Sequence, residues 1–393
     1  MPSDNDEGRR DDVDVAASRW AWAEVDVDAL RHNVGSLTRA VSPSHVRAVV
    51  KADGYGHGAV TAARAALDAG AAGLCVALVQ EGVELRAAGI DAPILVLTEQ
   101  PPEQLDSLAA AGLEATAYRL DHVDALAAAA TRVGAVVSVH LKIDSGMQRV
   151  GAAPDLIASL VDAVRSSDSL RLGGVFTHLA VADEPEHRAT AEQLATFDAA
   201  LGSLGDADLP AVHAANSAGA LAAPSARRSF VRLGIAMYGI SPGPDVDHLV
   251  ADLRPALALK ARVSYVKQVD AGTHVSYGWR HRFDRDTTVA TVPIGYADGV
   301  PRRLGTLPDA PGFDVLIGGR RCPIVGVVTM DQLVVDVRDA PVTIGDEVVL
   351  IGRQGEHEIR AEHWAERLGT IGYEIVCGIS ARVPRRVVGG GHR

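Results

Sequence analysis

Eight short apolar runs, each followed by an alanine- and leucine-rich stretch of helical periodicity, constrain this chain more than any other feature. The runs fall at 46–50, 74–78, 94–97, 114–118, 135–143, 172–176, 211–214 and 230–233. Between them lie segments such as AVTAARAALDAG, PEQLDSLAAAG and DHVDALAAAATRVG. Parallel strands need crossover connections, and a helix is the usual one. Eight such units in succession predict closure into an α/β (β/α)8 barrel of the TIM type. By periodicity alone, an open doubly wound sheet is the competing arrangement. After about residue 245 the rhythm stops. Alternating segments follow, including ALALKARVSYVKQV, TTVATVPIGYA, QLVVDVR and DEVVLIGR, separated by DAG, GG and IGD. These predict a mostly β C-terminal domain. The organisation expected is an acidic disordered tail over 1–19, a barrel over 20–245, a β domain over 246–385 and a tail over 386–393. The first strand could instead join the β domain.

Composition narrows the functional classes. Lys+Arg 38 against Asp+Glu 50 gives a net charge of −12, which repels a phosphate backbone and argues against nucleic acid as a partner. No apolar run approaches the roughly 18–20 residues of a membrane helix. The polar, acidic N-terminus is unlike a targeting peptide. Three cysteines with no CxxC pair point to a reducing cytoplasm rather than a disulfide scaffold. The 14 histidines are scattered and form no HExxH, so no metal is expected.

The polar residues that carry chemistry collect at strand ends. In VRAVVKADGYGHGAV an apolar strand runs into Lys51, and glycines follow at 54, 56 and 58. GYGHG alone is a weak imitation of a dinucleotide fingerprint and reads equally well as a glycine-rich βα turn. The lysine adds more, because barrel enzymes place their chemistry at the carboxyl ends of the strands. A partly buried amine there loses basicity and can attack an aldehyde. Later units bring Lys142, Asp144 and Arg149 (LKIDSGMQRVG), His178 (FTHLAVADE), His213, Asn216 and Ser217 (VHAANSAGAL), and Arg232 and Gly234 (FVRLGIAMYG) to the same rim. Any one of these alone reads as a satisfied core residue. Ser217 opens a helix, whose free N–H groups favour an anion, and Gly234 supplies an adjacent turn. An amine beside a phosphate cradle suggests a phosphorylated aldehyde cofactor.

The series AVVKADGYGHGA, LKIDSGMQRVG, THLAVADE, HAANSAGAL, VRLGIAMYGISP, VSYGW, PIGYADGVPR, TMDQ and IGYEIVC, over about residues 20–385, resembles alanine racemase. The resemblance implies a cytoplasmic homodimer that binds pyridoxal 5'-phosphate and converts L-alanine to D-alanine for peptidoglycan, each site completed by the partner's β domain. Lys51 would hold the cofactor and act as one base. Tyr277, from the other subunit, would act on the opposite face, as racemisation requires. An unassisted phenol is a weak base near neutrality, and His178 and Arg232 match the residues that would help it. Arg232 would also face the pyridine nitrogen; a guanidinium keeps its proton, which weakens the ring as an electron sink and favours reprotonation over transamination. Arg149 would bind the cofactor's phenolic oxygen and the substrate carboxylate. Lys142 matches a lysine that the family often carbamylates, the alternative being an ordinary salt-bridged lysine. Tyr55, Ser217, the backbone of Gly234 and Ile235, and Tyr373 would bind phosphate, with Asn216 also beside the cofactor. The main chain of Met330 would reach the substrate, and Tyr296 would line its access.

The chain departs from the commonest pattern at Thr329, where cysteine is frequent, at Val327 (arginine), Gly372 (asparagine) and Gln148 (glycine). These leave serine or another small amino acid open as a substrate. A decarboxylase of the same fold usually carries an internal GGG phosphate loop; the only GGG here, at 389–391, reads as a frayed end. A non-catalytic pyridoxal-phosphate carrier would resemble the barrel alone, and this chain keeps Tyr277 and Met330.

Overall fold

The computed structural model describes residues 18–205 and 209–391. The expected acidic tail lies outside these residues up to position 17. Arg19, its last member, is described and pairs with Asp298 at 2.7 Å. The described residues fold as two compact units, one formed by 24–205, 209–258, 360–379 and 387–391, the other by 18–23, 259–359 and 380–386.

In the first unit, each of the eight apolar runs coincides with a strand to within two residues at its start: His45–Val49, Gly73–Val76, Ile94–Val96, Ala115–Ala117, Val137–Lys142, Leu170–Phe176, Val212–His213 and Phe230–Leu233. They pair in parallel as two four-stranded sheets, third–second–first–eighth and fourth–fifth–sixth–seventh. A parallel bridge between Leu95 and Glu114 joins the third strand to the fourth. The seventh and eighth are joined by hydrogen bonds from Ser229 N–H to Val212 O (2.9 Å) and from Arg232 N–H to Ala215 O (3.0 Å). The ring therefore closes into the (β/α)8 barrel. Val137–Lys142 is buried at every position, as expected of a strand covered on both faces. The helix Val27–Val41 leads into the first barrel strand and is N-capped by Asp26, which accepts from Asp28 and Ala29 N–H at 2.9 Å.

The barrel interior departs from the usual filling of branched residues. Gly173 and Gly174 on the sixth strand make room for the His140 imidazole. A Cβ on Gly174 would lie 2.9 Å from His140 Nδ1 and 2.6 Å from Ala211 O, and one on Gly173 would lie 2.8 Å from His140 Nε2. The ladder between the fifth and sixth strands slips at Val139/His140 to seat the ring.

In the second unit the strands pair antiparallel. The order is Tyr265–Val269, Thr287–Val292, Leu333–Arg338, Arg320–Val325, Asp314–Ile317, Glu347–Gln354 and Leu257–Arg262. Leu333–Arg338 alternates buried and part-exposed residues, the pattern the sequence displays. Val269, Phe283, Val289 and Val325 form part of its core.

Two segments differ from the sequence reading. The helices Ala361–Leu368 and Gly372–Cys377, grouped in sequence with the β domain, cluster in space with the barrel. Glu362 accepts from Ser241 N–H at 3.1 Å, and Gly372 lies so near Ile240 that a Cβ would come within 2.8 Å of its Cγ2. The segment read as a tail over 386–393 begins inside a strand, Arg385–Val388, and Gly390 N–H donates to Asp28 at 3.0 Å. Among the described residues no helix is long and apolar enough to cross a membrane.

The glycine pair generates a test. Gly174→Ala is expected to destabilise the protein by about 1–3 kcal/mol through overpacking, read as a lower urea midpoint at unchanged slope.

Candidate active site

Lys51 sits just beyond the first barrel strand and opens an unusual turn. Ala52, Asp53, Gly54, Tyr55 and Gly56 all have positive φ, at 53°, 51°, 60°, 53° and 79°. For residues with a Cβ the left-handed conformation costs roughly 1–2 kcal/mol each, so the surroundings must impose it. Glu81 is one clamp: its carboxylate accepts from the N–H groups of Ala52 (2.6 Å), Ala77 (2.8 Å) and Leu78 (3.0 Å). Asp53 is a second, accepting from Ala59 N–H at 2.8 Å where the next helix begins. The third is steric, since a Cβ on Gly56 would fall 2.2 Å from Val376 O. The turn presents both Lys51 and Tyr55 to one cavity.

That cavity, about 700 Å³, gathers most of the residues singled out from the sequence. The first strand contributes Lys51 and Tyr55, the fifth Lys142 and Arg149, and the sixth Phe176 and His178. Asn216 and Ser217 follow the seventh strand; Arg232, Gly234 and Ile235 come from the eighth, and Tyr373 from the helix Gly372–Cys377. Residues the sequence reading did not single out also line it, among them Thr98, Glu374 and Cys377. Cys377 and Glu374 carry no motif of their own and could be found only through their neighbour Tyr373. Glu81 lies behind the wall and gave no sequence signal.

The wall is strongly cationic. Four of the lining side chains, Lys51, Lys142, Arg149 and Arg232, are basic, and Glu374 is the one acid among them. Burial, and then the charge of Arg149, lower the pKa of Lys51. Burial together with Arg232 and Arg149 brings Lys142 down to about 8. Burial lowers Arg232 to about 10, which leaves it protonated at neutral pH. The same causes, burial first and then Arg232, hold His178 well below its ordinary value. Arg232 is only 3% exposed and its partners are neutral: Thr177 O and Ala214 O at 2.8 Å, His213 Nδ1 at 2.7 Å and His178 Nδ1 at 3.3 Å.

One corner of the cavity is built of uncharged donors. Ser217 Oγ accepts from Gly234 N–H at 2.9 Å, and a Cβ on Gly234 would sit 2.6 Å from the Tyr55 hydroxyl. Burial raises the pKa of both Tyr55 and Tyr373, so both phenols stay protonated and can donate. Asn216 caps the helix Ser217–Ala222 by accepting from Gly219 N–H at 2.9 Å.

Tyr277 and Met330 belong to the β unit, where they are 72% and 51% exposed. Tyr277 lines a shallow hollow with Ser276, Gly278, Trp279 and Thr329. Ser276, at φ 62°, donates its hydroxyl to Val327 O at 2.8 Å. The Thr329–Met330 backbone is pinned by Tyr296 N–H to Thr329 O (3.0 Å) and Ala297 N–H to Met330 O (3.1 Å). Among the described residues no group of three metal-binding side chains occurs.

An eight-stranded barrel with an amine, guanidinium and hydroxyl site at the carboxyl ends of its strands, and a separate antiparallel unit, define an α/β-barrel enzyme with an accessory β domain. Residues 25–242 match the family model "Alanine racemase, N-terminal domain" and residues 256–387 match "Alanine racemase, C-terminal domain". The alanine racemase of Symbiobacterium thermophilum is 49% identical over 376 residues, covering 95% of this chain and 98% of that protein. That of Thermobifida fusca is 44% identical, covering 95% and 99%. Among solved structures, alanine racemase from the D-cycloserine producer Streptomyces lavendulae superposes with a TM-score of 0.88 at 38% identity, covering 95% and 98% of the two chains. The chain belongs to the alanine racemase family.

Removing the glycine that lets the turn approach Val376 tests its role. Gly56→Ala combines positive φ with a backbone clash and should destabilise by about 1–3 kcal/mol, measured by chemical denaturation.

Proposed function

We propose that this chain racemises L-alanine to D-alanine with pyridoxal 5'-phosphate held in the barrel cavity. The observation that carries the reading is the convergence of a weakened lysine amine, a buried neutral-partnered arginine and an uncharged-donor corner in one cavity of suitable size. The residues fit that cofactor. Tyr55, Ser217, the Gly234–Ile235 backbone and Tyr373 would hold its phosphate, and Gly234 leaves free the space a Cβ would take from the Tyr55 hydroxyl. Lys51 would bind its aldehyde and Arg232 would face its ring nitrogen, with His178 and Asn216 alongside. When bound, the group supplies an electron sink that acidifies the substrate's α-hydrogen.

The chain's own residues do the rest. Lys51, its basicity lowered by burial, takes or returns the α-proton on one face. Tyr277 of the partner subunit does so on the other, in a homodimer whose sites are shared. Arg149 orients the substrate carboxylate, assisted by the main chain of Met330 from the partner. Arg232 donates to His178 Nδ1, so the neutral imidazole carries its proton on Nε2. Lys142 is a carbamate site: its ammonium gives up one proton, the free amine attacks CO2 to form an N–C bond and releases a second, and a cation beside Arg149 and Arg232 becomes an anion. The product serves peptidoglycan synthesis in the cytoplasm.

Purified protein incubated with L-alanine in heavy water should yield D-alanine carrying deuterium at Cα, as read by chiral separation with mass detection. Alanine returned unchanged, with L-serine also unchanged, would end the racemase reading. Lys51→Ala and Tyr277→Phe should each lower kcat by about 10²–10⁴-fold. Mixing and reassociating the two inactive variants should restore roughly a quarter of parental activity, because half the dimers then hold one intact site. No recovery would argue against shared sites.

Lys142 has a pH signature. The unfolded lysine titrates near 10.5 and the folded one near 8, so the unfolded state binds more protons between these values. Stability from this group therefore rises with pH across that window, and the penalty is fully present below pH 8. Carbamylation removes the penalty. A carbamate carbon signal from ¹³C-bicarbonate should appear in the parental protein and vanish in Lys142→Met.

A further inference from the structure

The barrel interior contains a hydrogen-bonded chain that reaches Arg232 through Arg47, Glu114, His140 and His213, which the proposed reaction leaves without a task. Arg47 on the first strand donates to Glu114, which immediately precedes the fourth. Glu114 Oε2 lies 3.3 Å from His140 Nε2 on the fifth strand. His140 Nδ1 lies 3.1 Å from His213 Nε2 on the seventh, and His213 Nδ1 lies 2.7 Å from Arg232 Nη1 on the eighth. Both imidazoles are at most 1% exposed.

The chemistry of the two ends fixes every proton between them. A guanidinium can only donate, so His213 Nδ1 must accept and a neutral His213 carries its hydrogen on Nε2. That hydrogen points at His140 Nδ1, which must then accept, leaving the His140 hydrogen on Nε2, directed at Glu114. From the other end, an ionised carboxylate can only accept, which demands the same arrangement. Burial alone would raise the Glu114 pKa, but hydrogen bonds from His140 and Arg47 overcome this and bring it to about 2. Burial lowers both histidines, which agrees with their being neutral.

Packing sets the planes of the rings and leaves only the proton positions to the chain. His213 is stacked between Phe176 (4.6 Å between centroids, 7° between planes) and Phe230 (4.0 Å, 26°). His140 occupies the space left by Gly173 and Gly174. The other partners of Arg232 are neutral, and Glu114 is the carboxylate at the far end of its hydrogen-bonded chain through the two imidazoles.

We infer that Glu114 is a positioning residue for the reaction, holding Arg232 in orientation through the fixed tautomers of His140 and His213. The inference rests on the reading that Arg232 faces the cofactor.

Glu114→Gln tests it at nearly constant volume. The Gln carbonyl would turn to Arg47, leaving its NH2 group toward His140 Nε2. His140 would then move its proton to Nδ1, and His213 Nδ1 would lose its acceptor role toward Arg232. The probe is long-range ¹H–¹⁵N NMR of the cofactor-loaded holoenzyme selectively labelled with ¹⁵N-histidine. In the parental protein, both histidines should be Nε2–H tautomers. In Glu114→Gln, His140 should change to Nδ1–H while kcat falls by about 3–30-fold and KM for alanine stays within about twofold. Glu114→Asp, which keeps the charge, should restore the Nε2–H tautomers and most of kcat. Unchanged tautomers in Glu114→Gln, whether kcat holds or falls, would overturn the inference and leave Glu114 a structural ion-pair partner only. Should that variant not fold, His140→Asn keeps an acceptor for His213 and severs Glu114; parental kcat there would overturn the inference equally. The tautomers do not depend on turnover, so a parental protein without racemase activity would remove the reading of the reaction while the spectra still decided the relay.

Discussion

Mutual repulsion among cations inside a barrel is the constraint to which this unit answers. Lys51, Lys142, Arg149 and Arg232 share one cavity wall, and like charges at close range in a poorly solvated space disfavour one another's protonated forms. Burial first, and the neighbouring cations after it, lower the basicity of the two lysines and keep the neighbouring histidines neutral. Arg232 stays charged at working pH although it is almost fully buried, and the surrounding strands supply it with carbonyls and imidazoles. A cavity in this condition favours an anionic ligand and holds amines ready to react, and both properties come from burying several cations together.

Much of the barrel is legible in the sequence because its strands are buried on both faces, which leaves continuous apolar runs that the helical periodicity between them sets off. The β domain is legible through alternation. What escapes is whatever depends on register or on contacts between distant segments. Ala361–Leu368 and Gly372–Cys377 have unremarkable helical sequences, and only their packing against Ser241 and Ile240 associates them with the barrel. The three glycines after Lys51 signal a turn but not its hand, because Ala52 and Tyr55 are not residues that normally go left-handed. Glu114, His140 and His213 lie on separate strands, and no spacing in one strand announces that their side chains meet. Of the sequence candidates that converge, Lys51, Lys142, His178 and Arg232 were visible as polar residues at the ends of apolar runs, whereas Tyr55, Ile235 and Tyr373 were reached only through the family resemblance.

The departures from the family pattern acquire physical content here. Gln148 stands where glycine is common and takes φ 56°, with its N–H on Asp144 at 3.1 Å, so the loop keeps its shape and bears the strain. Gly372 replaces asparagine beside Ile240, where a side chain would meet the Cγ2 methyl at 2.8 Å. Thr329 uses its hydroxyl within its own loop, donating to Gln332 O at 2.7 Å.

The helix that brings Tyr373 to the cavity lies near the end of the chain, whereas the barrel strands are complete by Leu233. During synthesis the eight strands can emerge and close while this last piece of wall is still unmade. Val376, the residue against which the left-handed turn is pressed, is also among the last to appear. A nascent barrel therefore waits through the translation of an entire second unit before its mouth is finished. A chain ended anywhere in that interval would lack both Tyr373 and the Val376 carbonyl.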